Sequence, residues 1–510
     1  MNAPRETPMP RALAFAAAFL GLAAVVAPAP GPAQEAARAP AGPAGSAPAE
    51  RPEELVFPPL PDFDVPEPTR VELDNGLVVL LMPDHELPLV RAVAVVKTGG
   101  RLEPAAKVGL AGIAGSVLRL GGTESLGPDE LDDFLESRAA VIESSIGESQ
   151  GRVTLSALAE DFPEVLRVFA DVLRRPAFAP ERIEVAFTQA RAGVARQNDN
   201  PQTILFRELD EQVYGPGSPY ARTPTFATLT AIERDDLLAW HRTYYRPDRT
   251  ILGLSGDFEP EAALALVRDA FGDWRPPAGA EPAPGAPEGA YREEPAPGVF
   301  VAEKSDITQS NIALGLLGIV KSHPDFYAVE VMNEVLGGSM TSRLFSEVRT
   351  RKGLAYAVGG RVGSGWDHPG ATILFTTTKV ETTGEAIRAL LEEARGMTAR
   401  PPTDEEVARA KRAILASFVF RIDSPRRVLE QQLTFEYFGY PLDWLSTYRD
   451  RIEAVTPEAV RRAAAEHLRP DSFSIVVVGP AEGRDVDLST FGPVRELDIT
   501  IPPPAAAGGV

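Results

Sequence analysis

One stretch of this chain occurs twice, and the repetition limits what it can fold into more than any other feature. Arg246-Pro247-Asp248 returns as Arg469-Pro470-Asp471, 223 residues later. Eight residues past each aspartate an apolar run ends on glycine: Ile251-Leu252-Gly253-Leu254-Ser255-Gly256, then Ser474-Ile475-Val476-Val477-Val478-Gly479, again 223 apart. A helical pattern precedes each copy, over 235–244 and 457–467. Asn200-Pro201 has a counterpart in Ser424-Pro425, at a spacing of 224. A helix, a turn and a buried strand sharing one register predict two copies of a single plan. The length of 510 residues, too great for one core, agrees.

Inside the first copy, 69–82 reads strand–turn–strand about Asp74-Asn75-Gly76, a hairpin signal. Strands are expected over 90–98 and 152–158, and helices over 105–120, 161–173 and 180–197, the last opening on a proline. Gly121-Gly122 closes the first of these helices. Hairpins mixed with helices, without strict alternation, predict an α+β fold rather than a doubly wound one.

Two Pro/Ala/Gly-rich stretches cannot bury enough apolar surface to fold, and divide the chain. The expected organisation is a signal peptide over 1–33, a linker over 34–68, one domain over 69–275, an interdomain linker over 276–297, a second domain over 298–497 and a tail over 498–510. The signal reading rests on Arg5 and Arg11 ahead of the apolar run 12–27, followed by small residues of A-x-A character. That run is short and rich in Ala and Gly, so no stable membrane span is expected after cleavage; the protein is expected to be exported, periplasmic or extracellular. An uncleaved signal would leave it anchored. Fifty-one Lys and Arg against 72 Asp and Glu give a net charge of −21, which argues against nucleic acid or an anionic membrane as partner. No cysteine is present, so disulfides, thiolate catalysis and thiolate metal sites are excluded together.

The segment Gly109-Leu110-Ala111-Gly112-Ile113-Ala114-Gly115-Ser116 resembles the motif helix of the pitrilysin-type zinc peptidases, the inverzincins that include mitochondrial processing peptidase. Active members read G-L-A-H-x-x-E-H there, two histidines binding zinc and the glutamate activating water. In this chain Gly112 replaces the first histidine, Gly115 the glutamate and Ser116 the second histidine. None of the three can ligate zinc as imidazole does or act as a carboxylate base. The third ligand of active relatives, a glutamate, falls at Ala192 or Gly193; Glu184, about two turns upstream, reads as a surface acid. The glycines imply either that something approaches this face closely or that small residues accumulated once the ligands were gone. Both readings stand.

The second half carries the most specific match: Leu336-Gly337-Gly338-Ser339-Met340-Thr341-Ser342-Arg343-Leu344-Phe345, then Glu347-Val348-Arg349-Thr350-Arg351-Lys352-Gly353-Leu354-Ala355-Tyr356. The resemblance places Arg349 and Tyr356 as the pair that reaches substrate at the zinc site. A guanidinium and a phenol aimed at a peptide carbonyl can stabilise the developing oxyanion. The plainer reading is an arginine paired with nearby acids and a tyrosine opening a strand. Gly337 and Gly338 would lie in a loop near the substrate chamber, or form a helix cap. Strand-like 141–145 matches the edge on which relatives bind peptide, although Ile142-Glu143 stands where the family has Asn-Ala.

None of the five histidines, His85, His241, His323, His368 and His467, lies three to five residues from another, so each reads as a surface or packing residue. The resemblance spans about 69–485 and implies two homologous α+β domains forming half of a clamshell. It also implies a function: the non-catalytic subunit of an exported zinc endopeptidase. Such a chain supplies Arg349, Tyr356 and part of the chamber to a homologous H-x-x-E-H partner that holds the zinc, with an unfolded peptide as substrate. No cofactor or metal is expected in this chain. The alternative is an inert scaffold or peptide-binding protein that keeps the fold.

Overall fold

A computed structural model describes residues 65–276, 282–285 and 290–503. The signal segment, residues 34–64 of the first linker, parts of the second and the final seven residues lie outside the described residues.

The hairpin forms as the sequence predicts. β1 (Thr69–Glu72) and β2 (Val78–Pro83) pair antiparallel, Thr69 opposite Leu81. The turn is braced by Asn75, whose amide donates to the Phe271 carbonyl at 2.8 Å. β3 (Leu89–Val96), β4 (Val141–Ile146), β5 (Gly151–Leu158) and β6 (Thr250–Gly256) complete a six-stranded sheet in the order β1-β2-β6-β3-β5-β4. β4 is therefore an edge. β6, the first copy of the repeated apolar run, is buried along its whole length, as a continuous apolar strand requires.

The second half repeats the plan. β7 (Gly298–Glu303), β8 (Gln309–Leu317), β10 (Ala355–Arg361), β12 (Ala371–Lys379), β13 (Ser474–Gly479) and β14 (Val494–Glu496) form a sheet ordered β10-β12-β8-β13-β7-β14. β9 (Ile319–Val320) and β11 (Ser364–Gly365) make a separate short parallel pair. Read in reverse, β7-β13-β8-β12-β10 matches β2-β6-β3-β5-β4, and the lone parallel pair inside each motif, β2 with β6 or β7 with β13, falls in the same place. β14, arriving from the C-terminal end, takes the place of β1.

The two halves exchange a helix. Pro201–Tyr214, capped by Asn200 Oδ1 accepting from Gln202 N, belongs to the first half but packs on the second sheet. Its Ile204, Leu205, Leu209 and Val213 share a cluster with Phe300, Ala302, Ala313, Val476 and Val478. Pro425–Phe438, capped by Ser424, does the converse: Leu433 and Leu429 lie in one core with Leu80, Met82, Val95 and Ile251. The repeated Asn-Pro and Ser-Pro pairs thus start the two exchanged helices. Each lies so close to its sheet that a glycine receives it: a Cβ on Gly253 would come 2.8 Å from Leu433 Cδ1, and one on Gly315 would come 2.6 Å from Leu209 Cδ1.

Two boundaries differ from expectation. The helix expected over 105–120 breaks at Gly109, left-handed with φ +106°, so the α-helix proper is Leu110–Leu120. The tail does not begin at 498: Ile499 packs against the cluster under the second sheet, and Asn198 donates to its carbonyl. An apolar residue every second position over Leu497, Ile499 and Ile501 gives this stretch a side to bury.

Candidate functional site: a closed zinc position and an open arginine–tyrosine pair

The motif helix Leu110–Leu120 begins where Glu103 folds back beneath it. Its carboxylate accepts from Gly109 N at 3.1 Å and Ala111 N at 2.6 Å, filling the role a capping side chain would have at Gly109. Burial raises the Glu103 carboxyl above its ordinary range, and the two backbone N–H groups hold it down in part.

Gly112 and Gly115 lie one turn apart in opposite circumstances. A Cβ on Gly115 would collide with Ile146 N and come 2.8 Å from the Ser145 carbonyl carbon, so β4 rests on the helix backbone at this point. The contact is pinned from both sides. Ser144 Oγ donates to the Gly115 carbonyl at 2.6 Å and accepts from Arg119 N at 3.1 Å, while Arg119 Nε donates to the Ile142 carbonyl at 3.1 Å. Of the two readings of these glycines, close approach holds for Gly115. A glutamate there would have to displace β4. Beside Gly112 nothing lies within 4 Å, and Ser116 turns its hydroxyl back to the Ile113 carbonyl at 3.0 Å.

Gly112 and Ser116 line a cavity of about 460 Å³, together with Gln189, Gly193 and Gln197 of the next long helix (Pro180–Ala195 and the turn after it). It occupies the place where the resemblance puts zinc. Its lining includes no histidine, aspartate or glutamate, and Glu184 is exposed elsewhere on that helix. These donors do not fit zinc, which needs three imidazole or carboxylate ligands in a catalytic site. Arg207, also in the lining, is held by Glu208 Oε1 at 2.9 Å.

Across the chain, Arg349 and Tyr356 come together. Arg349 lies in the π-helical turn Phe345–Arg351, its guanidinium carbon 4.7 Å from the Phe345 ring centroid and 4.9 Å from that of Tyr356. Among the described residues no carboxylate pairs with it; the local acid Glu347 pairs with Arg351 instead. Tyr356 is the extra residue of a β-bulge in β10, between Ala355 opposite Thr378 and Ala357 opposite Thr377. Bulges redirect a side chain, and Tyr356 is 76% exposed. The acid-paired reading of Arg349 therefore fails, and the pair projects as an open cation–π unit.

Gly337 and Gly338 lie in a π-helical turn and not in an open loop. Neither has positive φ, and neither forms a helix cap in an open loop. A Cβ on Gly337 would strike Gly360 N and lie 2.6 Å from Gly360 O, so this glycine seats the π-helical turn Glu334–Gly338 against β10, the strand that carries Tyr356. Neither Arg349 nor Tyr356 lines the cavity beside Gly112.

The histidines sort into three kinds. His85 is a surface residue paired with Asp257 at 2.7 Å, which raises its pKa. His241 is a packing residue bonded to the Leu173 carbonyl at 2.9 Å, its pKa pushed down to about 4 by burial. His368 stacks on Tyr220 at 3.9 Å, in the seam between the halves where Arg101 pairs with Asp367. His323 and His467, 144 residues apart, meet with ring centroids 5.0 Å from each other. Sequence spacing could not foretell that meeting, because it depends on how two helices pack.

Two family profiles match the chain: "Insulinase (Peptidase family M16)" over 78–221 and "Peptidase M16 inactive domain" over 231–414. The chain belongs to peptidase family M16. It is similar to an uncharacterized zinc protease of Mycobacterium tuberculosis, 25% identical over 81% of this chain and 93% of that protein. It is also similar to a protein of Helicobacter pylori described as a non-peptidase homolog, 23% identical over 80% of this chain and 94% of the relative. Among solved structures, a peptidase M16 inactive domain from Pseudomonas fluorescens superposes with a TM-score of 0.72 at 24% identity, covering 82% of this chain and 99% of that one. The periplasmic protease PqqL of Escherichia coli gives 0.70 at 14% identity, over 81% of this chain and 45% of PqqL. The M16 assignment makes the α+β pair of homologous domains a family fold, with a peptidase-like character.

Proposed function

We propose that this chain is the non-catalytic subunit of an exported, hetero-oligomeric zinc endopeptidase. It offers Arg349 and Tyr356 to a substrate peptide whose scissile bond is attacked at zinc held by a homologous H-x-x-E-H subunit. The observation that carries this reading is an asymmetry. The helix position of the catalytic glutamate is closed by β4, whereas the arginine and tyrosine stand open at a bulge with no acid among the described residues to occupy the guanidinium. A chain that had lost every use for substrate would gain nothing from an exposed tyrosine stacked on an unpaired arginine. Export rests on the signal-like N-terminus; among the described residues no helix is long and apolar enough to cross a membrane.

The second reading, an inert scaffold, draws support from β4. Its Ile142 carbonyl is already taken by Arg119, so a peptide adding to this edge would have to displace an existing hydrogen bond. Co-expression with a homologous H-x-x-E-H family member separates the two. The subunit reading expects a stable complex that hydrolyses an unfolded peptide in a zinc-dependent way, while this chain alone hydrolyses none. Hydrolysis by the isolated chain, or a complex no more active than the partner alone, would contradict it.

A further inference from the structure

Four side chains capable of holding a metal converge in the second half, where two helices meet. His323 lies in the loop before the helix Phe326–Asn333, and Asp325 is that helix's N-cap residue. Glu466 and His467 are the last two residues of the helix Pro457–His467, which packs against it. One ligand atom from each of the four lies within 4.8 Å of all the others. His467 Nε2 donates to Asp325 Oδ2 at 3.0 Å, and the His323 and His467 rings stand perpendicular. We propose that His323, Asp325, Glu466 and His467 form a zinc site that clips these two helix ends together.

The chemistry of the set favours zinc over harder ions. Two imidazoles and two carboxylates are nitrogen and oxygen donors of the kind zinc takes in four-coordinate sites, whereas calcium and magnesium prefer oxygen alone. The two carboxylates balance a divalent charge. A separation of 3.0 Å between His467 Nε2 and Asp325 Oδ2 lets one ion bond both at about 2.0–2.1 Å. The ion would take the place of the proton between them, with His467 keeping its one proton on Nδ1. His323 Nδ1 accepts from Asp325 N at 3.1 Å, so ligation through that nitrogen replaces a second hydrogen bond.

The surroundings are suitable. The side chains of His467 and Asp325 are 10% and 15% exposed, so two ligands are held in place by packing. The loop is fixed by its own backbone bonds, His323 N to Val320 O and Phe326 N to His323 O, both at 3.0 Å. Glu466 is exposed and leaves one side open for entry and for the closing movement that zinc distances require. The C-terminal end of Pro457–His467 draws a cation, and Asp325 offsets the opposite dipole at the neighbouring helix start. Four protein ligands describe a structural site with no open position for catalysis.

The test uses the full mature chain, stripped with a chelator and dialysed against zinc alone. Wild type should retain about one equivalent, and its melting temperature should rise with zinc concentration, as binding to the folded state requires. His323→Gln and His467→Gln should each weaken binding by about tenfold or more, at least the loss seen when a ligand's supporting partner is removed. Glu466→Gln, at an exposed position, should weaken binding while leaving the melting temperature in chelator unchanged. It keeps the question decidable if His467→Gln destabilises the fold by losing its bond to Asp325. His85→Gln should change nothing. Failure of the wild type to hold zinc, or retention of the equivalent by both His323→Gln and Glu466→Gln, would overturn the site.

Discussion

Gly112 and Gly115 share a helix and a residue type, yet only one of them is needed as glycine. At Gly115 an alanine must push β4 off the helix, and such overpacking costs roughly 1–3 kcal/mol, more than the ~1 kcal/mol that alanine gains in a helix interior. At Gly112 the added methyl meets open space, so Gly112→Ala should keep that gain, about 1 kcal/mol. Denaturant melts of the two variants should therefore shift in opposite directions. Equal shifts of the same sign would mean that β4 is not seated as described. The sequence displays both glycines equally. What distinguishes them is a strand some thirty residues further on, and no local pattern records that distance. Arg349 shows the same limit: helical spacing offered it acids, and the structure gives it two aromatic rings instead.

The exchanged helices are the elements on which the two halves depend. Leu433 and Leu209 each sit against a glycine on the sheet of the other half, and both are fully buried. Truncating either to alanine should cost about 2–5 kcal/mol, the usual range for a buried leucine. Because each helix covers the opposite sheet, loss of either contact should lower one shared transition. Far-UV circular dichroism and the fluorescence of Trp240, Trp274, Trp366 and Trp444 should remain coincident in both variants. Separate transitions, with Leu433→Ala moving only one, would show that the halves fold independently. The pairs Asn200-Pro201 and Ser424-Pro425 were legible as a repeat, though not as the starts of these helices, and the buried character of β6 and β13 was legible too. The sheet each helix covers was not, since periodicity reports that a face is buried and not what buries it. The break at Gly109 was missed for a related reason: the helical pattern runs on through a residue whose left-handed backbone keeps the α-helix from starting before Leu110.

For the whole molecule, duplication explains the architecture and the difference between the copies explains the chemistry. One half has a cavity lined without a single zinc donor, and the other presents an arginine and a tyrosine with nothing in the described chain for them to act on. The repeat made the fold readable in advance, and the motif helix made the missing catalytic groups readable too. The convergence of His323 with His467 was not readable, because it joins helix ends that only tertiary packing brings together. The central claim, that this chain completes an active site whose zinc lies in another subunit, is tested most directly by turnover of the assembled complex. With assembly verified, Arg349→Ala and Tyr356→Phe should each lower kcat by about 10²-fold, the usual loss for one transition-state hydrogen-bond donor. Zinc at the partner's H-x-x-E-H should be unchanged. Full turnover in the double variant would contradict the account and leave these two residues as packing at the end of a helix.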